Sequence, residues 1–279
     1  AGLARRTIST PSRRLLEFPR YMALTASLNY IYYMLESFKT NNREKLHNLV
    51  TLMLPLLGTQ MATMGMGFFD ATMSGQAGNI DLAGAAIGSN IWAPIHTGLG
   101  GVLMAATPLI ANALGAGDRP KISAILYHGL LLAVLFGMLV LGTGGFWLPM
   151  VLNSMGLEPA VYKIALYYCF GVAIGIIPFF LTILLRALID TFGHTDLTLK
   201  LYLLGLPINA CLNYILIFGK LGLPRLGGVG AGVATGLTYW LLFILFAVTV
   251  YKIDKFKEYF LNPNKENSQR FGVTHIKEY

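Results

Sequence analysis

The sequence predicts an all-α membrane protein, a bundle of six transmembrane helices, and three observations carry that reading. Of the 279 residues, 55% are hydrophobic and only 12% charged, with a mean hydropathy of +0.60. A soluble domain needs roughly a quarter of its residues charged to cover its surface. The apolar residues come in long blocks between Leu46 and Tyr251, each long enough for the roughly 20 helical residues that a hydrocarbon core of about 30 Å requires. The basic residues lie between those blocks. If six helices alternate, Arg5 to Lys45, Arg119 with Lys121, Arg186 with Lys200, and Lys252 to Lys277 share one side, leaving Lys163, Lys220 and Arg225 on the other. Cytoplasmic loops carry such an excess. Both termini are therefore expected on the cytoplasmic side of a multi-pass protein of the cell membrane, and the net charge of +8 needs no nucleic-acid partner.

In chain order the spans are expected at 46–70, 82–112, 122–149, 160–185, 197–218 and 229–251. Turn chemistry separates them: Ser74 to Asn79, Gly115 to Pro120, Asn153 to Gly156, Thr191 to His194, and Gly219 to Gly232. Residues 1–45 form a separate basic segment with Pro11 and Pro19, whose apolar run from Met22 to Leu35 is too short to span and reads as interfacial or poorly ordered. Residues 252–279 read as a cytoplasmic linker or tail. Glycines inside the spans (Gly65, Gly67, Gly98, Gly100, Gly101, Gly171, Gly175, Gly232, Gly236) suit close helix packing in lipid. Prolines inside them (Pro55, Pro94, Pro108, Pro178, Pro207) each free a carbonyl and permit a bend. Cys169 and Cys211 sit in apolar stretches and read as packing residues.

Polar groups within spans are costly unless paired or facing water. Asp70 ends an otherwise uncharged first span that also holds Thr59, Gln60 and Thr63; it reads either as a buried functional carboxylate or as an aspartate at the membrane surface. Asn209 and Asn213 are four apart and so on one helix face, with Thr235 and Thr238 on the next span. Such oxygens beside one carboxylate suit Na⁺, or a hydrogen-bonded pocket for one titratable carboxyl; Asn and Thr also join helices without any ligand. Ser89, Asn90, His96 and Thr97 face a cavity or a neighbouring helix. Arg186, Asp190, His194 and Asp196 read as a solvated helix end. The five histidines are too dispersed for a metal motif, Gly115-Ala116-Gly117 lacks the rest of a phosphate loop, and no nucleophile has a base beside it, so the sequence does not read as an enzyme.

The order of segments resembles the multidrug and toxic compound extrusion (MATE) family, its NorM-like branch in particular. The resemblance runs through Leu54-Pro55-Leu56, Gly67 to Gly75, Ile91 to Pro94, Pro108 to Gly117, Leu184 to Ala187, Leu206 to Tyr214 and Phe218 to Thr235. It implies a secondary antiporter that exports amphipathic or cationic compounds in exchange for Na⁺ or H⁺, with no other cofactor. In such a transporter twelve helices form two six-helix lobes, and this sequence resembles the N-terminal lobe, its partner being a second six-helix lobe. The resemblance places a cation site at Asp70, Asn209, Asn213 and Thr235, and a hinge at Pro55. A single lobe without its own transport activity, a homodimeric half-transporter, and a passive channel or structural membrane subunit are the other readings the sequence leaves open.

Overall fold

Prolines and glycines decide where these helices break and which of them touch. The computed structural model describes residues 50, 51, 53–253 and 256. The expected segment 1–45 and almost all of the expected tail lie outside the described residues. The chain divides into two units, Ala1–Met53 and Leu54–Tyr279. The first is described only at Val50, Thr51 and Met53, all helical. The second consists, among the described residues, of α1 (residues 54–77), α2 (Asn79–Met104), α3 (Ala106–Gly115), α4 (Arg119–Ser154), α5 (Pro159–Ala173), α6 (Ile176–Thr191), α7 (Thr195–Phe218) and α8 (Gly228–Lys252).

Four helical segments among the described residues are long and apolar enough to cross a membrane: Asn79–Gly115, Arg119–Ser154, Thr195–Phe218 and Gly228–Lys252. The pair α5 and α6, bent by 47°, adds a fifth if the two are counted as one span. The first expected span begins among residues outside the described set, and its described residues are Val50, Thr51, Met53 and α1 as far as Asp70. The turn expected at Ser74 to Asn79 is helix as far as Ala77, with the break at Gly78 alone. Ser74, Gly75 and Gln76 do not end a helix here because the backbone bond from Gly78 N–H to the Ser74 carbonyl extends it (3.2 Å).

Two expected spans are broken, each three to four residues before a proline. Pro108 has no N–H for the Met104 carbonyl, and the chain tightens at Ala105, whose N–H bonds Val102 instead (3.1 Å). Pro178 likewise leaves the Ile174 carbonyl free, at the bend between α5 and α6. Trp240 on α8 donates its indole N–H to that oxygen at 2.9 Å. A carbonyl without its helical partner is thus satisfied from a neighbouring helix, as an apolar surrounding demands.

At the α5–α8 crossing backbone lies directly against backbone. A Cβ placed on Gly232 would lie 2.4 Å from the Tyr168 carbonyl oxygen, and one on Gly175 would lie 2.4 Å from that of Gly236. Only glycine allows backbone to meet backbone there. The expectation that all the span glycines pack is too broad, since Gly67, Gly98 and Gly101 face open space. The core of the bundle includes Phe180, Phe246, Leu103, Ile110 and Leu188, all fully buried. By contrast α1 rests on α7 through Gly58 under Leu199 and Gly65 under Leu206. Flanking that seam, α1 leaves Leu54, Leu57, Met61, Met64 and Phe68 exposed at helical spacing.

The cluster at the basic end is a solvated helix end only in part, at exposed His194 and Asp196. Asp190 accepts from the Arg186 guanidinium (3.1 Å) and from the hydroxyl of fully buried Thr198 (2.6 Å), tying α6 to α7, while Arg186 lies over the Tyr202 ring. The Asp196–Lys200 pair is exposed (3.0 Å). The two cysteines also part company: Cys169 is buried against the Gly88 carbonyl, whereas Cys211 is exposed and has no packing role inside the bundle.

Candidate functional site

Three helices bring their polar residues to one point. Asp70, half-buried near the end of α1, accepts a hydrogen bond at each carboxylate oxygen. Asn213 of α7 donates to Oδ1 at 2.5 Å and Thr235 of α8 donates to Oδ2 at 2.9 Å. The four-residue spacing of the asparagines puts them on one face, so Asn213 also donates to Asn209 Oδ1 (3.2 Å). Asn209 in turn donates to Thr238 (3.2 Å), whose hydroxyl bonds the Ala234 carbonyl (2.7 Å). Asn209, Asn213 and Thr238 are buried, where an unpaired polar group is expensive; Asn213 and Thr235 turn donors to the carboxylate, as a negative charge requires, while the rest of the chain donates onward from Asn213 to the Ala234 carbonyl. One atom breaks the pattern. Asn213 Oδ1 is buried with no hydrogen-bond partner.

The carboxylate faces a cavity of about 180 Å³. Thr63, Asp70, Ser89, Asn209, Thr235 and Thr238 give it polar lining; Met66, Gly67, Trp92, His96, Tyr168, Val172 and Tyr239 form the rest. His96 stacks on Trp92 (ring centroids 5.6 Å apart) and packs against Phe179 (4.5 Å) and Tyr239 (5.7 Å), and its Nε2 is buried without a partner. A carboxylate, a free amide oxygen and nearby hydroxyls are hard oxygen donors, able to take an alkali cation or a proton. The aromatic wall offers flat apolar faces, with ring quadrupoles that attract cations.

Of the residues expected from sequence, Asp70, Asn209, Asn213 and Thr235 therefore meet in one hydrogen-bonded cluster. Pro55 does not. It sits fifteen residues before Asp70 on α1, about 22 Å along the axis, where its carbonyl accepts from Thr59 (2.9 Å). Ser89 and His96 reach the cavity, whereas Asn90 and Thr97 are exposed. Thr238, named beside Thr235 but not counted in the site, belongs to the chain of bonds; its spacing of three from Thr235 was the available signal. Trp92, Tyr168 and Tyr239 were missed, since nothing in an apolar span distinguishes an aromatic that lines a cavity from one in the core.

Asp81 was missed as well. Its carboxylate accepts the Gly228 N–H (2.6 Å), capping α8, the helix that carries Thr235. The signal was a helix opening on Gly227-Gly228 with no side chain of its own to cap it, so that the cap had to come from elsewhere. At the same end the Arg225 guanidinium donates to the Ala77 carbonyl (2.5 Å), the last residue of α1. These two contacts fix the end of the bundle nearest Asp70.

The MatE family profile matches residues 55–215. The chain is 46% identical over 217 residues to the probable multidrug resistance protein NorM of Halalkalibacterium halodurans, covering 78% of this chain and 47% of that protein. It is 41% identical over 219 residues to the probable multidrug resistance protein NorM of Bacillus subtilis, covering 78% and 48%. The chain thus spans about half the length of the curated relatives it matches. Among solved structures, a MOP superfamily transporter from Pyrococcus furiosus superposes with a TM-score of 0.68 at 20% identity, over 76% of this chain and 46% of that one; that likeness carries the fold alone. With more than half of its residues inside the family profile and the same segment order along α1 to α7, the chain belongs to the MatE family.

Proposed function

We propose that this chain works as one six-helix lobe of a secondary antiporter that exports amphipathic or cationic compounds in exchange for Na⁺ or H⁺. In this reading α1 is the first of six crossings, the basic ends of the helices face the cytoplasm, and the protein resides in the cell membrane. A second six-helix lobe completes the transport path by docking on the exposed stripe from Leu54 to Phe68. The relatives named multidrug resistance proteins support the activity, and the half-length match supports a two-lobe assembly.

One observation carries the proposal: a carboxylate on α1 is tied to α7 and α8 by single hydrogen bonds, beside a buried amide oxygen with no partner. When Na⁺ or H⁺ reaches Asp70, its charge is masked and Asn213 Oδ1 gains a partner. The bonds from Asn213 and Thr235 then weaken, and with them the hold of α7 and α8 on α1. Hydrogen bonds to charged groups contribute about 1.5–3 kcal/mol each, so two are worth about 3–6 kcal/mol. Moving a two-state element from 1:99 to 99:1 takes about 5.5 kcal/mol, so losing both bonds supplies from about half to all of what a change in the position of α1 needs, with Pro55 as its hinge. The released compound would leave from the aromatic cavity beside the carboxylate.

The test is ion-driven efflux of a fluorescent organic cation from cells producing a transporter that contains this lobe. Asp70→Asn should lower efflux at least tenfold. In the purified chain, Na⁺ or acid titration should change the fluorescence of Trp92, which lines the cavity, and should not do so in Asp70→Asn. Parental efflux by Asp70→Asn would overturn the assignment of the site.

A further inference from the structure

A second concavity lies well away from Asp70, on the outer face of the lobe. It is a groove of about 830 Å³ between α4, α6 and α8. Helix α6 forms its floor with Leu181 and Leu185; α4 gives one wall with Tyr127, Leu131 and Leu135, and α8 the other with Phe243, Ala247 and Tyr251.

The three helices agree on its depth in the membrane. Helix α4 enters from the basic end at Arg119, whereas α6 and α8 run toward that end, α8 finishing at Lys252. Tyr127, Leu185 and Tyr251 therefore stand at the basic mouth, and Leu135, Leu181 and Phe243 lie deeper. From Tyr127 to Leu135, and again from Phe243 to Tyr251, is eight residues, about 12 Å of helix. One leaflet contributes about 15 Å of a hydrocarbon core near 30 Å. The groove is one leaflet long. Its mouth carries two tyrosines, 66% and 65% exposed, the residue type that sits at headgroup level. Arg119 lies about two turns before Tyr127 on α4, and Lys252 follows Tyr251 directly. Both are exposed, and long basic side chains at such a level reach out to phosphate.

The geometry points to a bound anionic phospholipid of the leaflet at the basic end, one acyl chain lying between α4 and α8 on α6 and the phosphate held near Arg119 and Lys252. An empty apolar trough would leave its lining without contact atoms on one side, and acyl chains are the apolar species present at solvent concentration in a membrane. The basic residues at the mouth select among headgroups: near an anionic surface each Lys or Arg favours the anionic lipid by about 1 kcal/mol, so two give a preference on the order of tenfold or more.

The test uses the full chain, reconstituted in vesicles of equal phosphatidylglycerol and phosphatidylcholine with matched acyl chains, extracted in mild detergent and weighed by native mass spectrometry. Phosphatidylglycerol should be retained roughly tenfold over phosphatidylcholine. Leu131→Trp and Ala247→Phe, which fill the trough, should lose both adducts. Phe146→Trp, on the same helix α4 but 90% exposed and outside the groove, should keep them. The pair Arg119→Gln and Lys252→Gln should keep an adduct and lose the preference. A photoreactive group at the acyl terminus should label 131–135 or 243–247 in the unmodified chain, which answers the question even if a filled variant does not fold. Adducts unchanged in both filled variants, labelling confined to other segments, or a dimer of the chain that Leu131→Trp breaks would overturn the proposal.

Discussion

Adding one methyl group to Gly236 should loosen the bundle and the carboxylate site together. A Cβ there lies 2.4 Å from the Gly171 carbonyl oxygen. Carbon–oxygen contacts between backbones settle at about 3.3–3.6 Å even when favourable, so α5 and α8 must part by about 1 Å. No side chain can move to absorb the clash, because the Gly171, Gly175 and Gly232 positions meet backbone atoms of the opposite helix at 2.4–2.6 Å. Overpacking of this kind costs about 1–3 kcal/mol, which for a chain of this size is about 2–12 °C of melting temperature. The protein supplies its own reporter. Its two cysteines are Cys169, 1% exposed, and the exposed Cys211. In a Cys211→Ser background a thiol-reactive dye reads the release of Cys169 alone. Gly101→Ala is the comparator, with no atom within 4 Å of its added Cβ. The same 1 Å would stretch the Thr235–Asp70 bond from 2.9 Å past the hydrogen-bonding range, so ion-dependent Trp92 fluorescence should weaken too. Equal melting of Gly236→Ala and Gly101→Ala would refute the close-approach argument.

Gly65→Ala should melt within about 2 °C of the parent, because its Cβ meets only the tip of Leu206 at 2.8 Å, a side chain that turns away at a cost below about 1.5 kcal/mol. Trp240→Phe removes the donor on the Ile174 carbonyl and should cost about 1–3 kcal/mol, read as a lower melting point in the Cys169 assay, with Trp240→His at a smaller loss if its ring nitrogen restores the bond. Asp81→Ala should speed hydrogen exchange at Gly228 and Val229 and cost about 0.5–2 kcal/mol, the usual loss for a helix cap, without changing exchange in α4. Thr198→Val leaves Asp190 with only Arg186 and should cost about 1–3 kcal/mol, whereas Lys200→Gln, which breaks an exposed pair, should change the melting point by no more than about 1 kcal/mol equivalent.

Span positions were legible because long apolar blocks have no other use. The α2–α3 and α4 segments begin and end within a few residues of expectation, and the proline-linked break at Ala105 and bend at Ile174 fall where a missing N–H would put them. What sequence does not encode locally is which partner answers a freed group. That Trp240 takes the Ile174 carbonyl, or that Asp81 caps α8 across 147 positions of chain, depends on helix packing that no window of sequence contains. Glycine shows the same limit. Gly98 and Gly232 look alike in sequence, yet one faces open space and the other meets the Tyr168 backbone. The Asp70 cluster was legible in part, because a carboxylate, two asparagines four apart and a threonine are rare in apolar spans. Its aromatic wall was not, because Trp92, Tyr168 and Tyr239 are ordinary core residues until a cavity opens beside them.

The two ways glycine is used bear on which helix moves. Between α5 and α8 glycines set backbone on backbone, and such a contact has one geometry. Between α1 and α7, Gly58 and Gly65 receive the ends of Leu199 and Leu206, which have other rotamers and can follow a sliding helix. What then holds α1 in register is the pair of bonds at Asp70, on α7 and α8, together with Arg225 on the last carbonyl of the helix. Arg225 lies two turns past Asp70 and fixes that end, so loss of the carboxylate bonds frees the length of α1 that runs from Asp70 back to Pro55. That length carries the exposed stripe of Leu57, Met61, Met64 and Phe68. A charge masked at Asp70 is therefore felt at the surface proposed to meet the second lobe, and soft packing beneath α1 allows the response without disturbing the α5–α8 crossing.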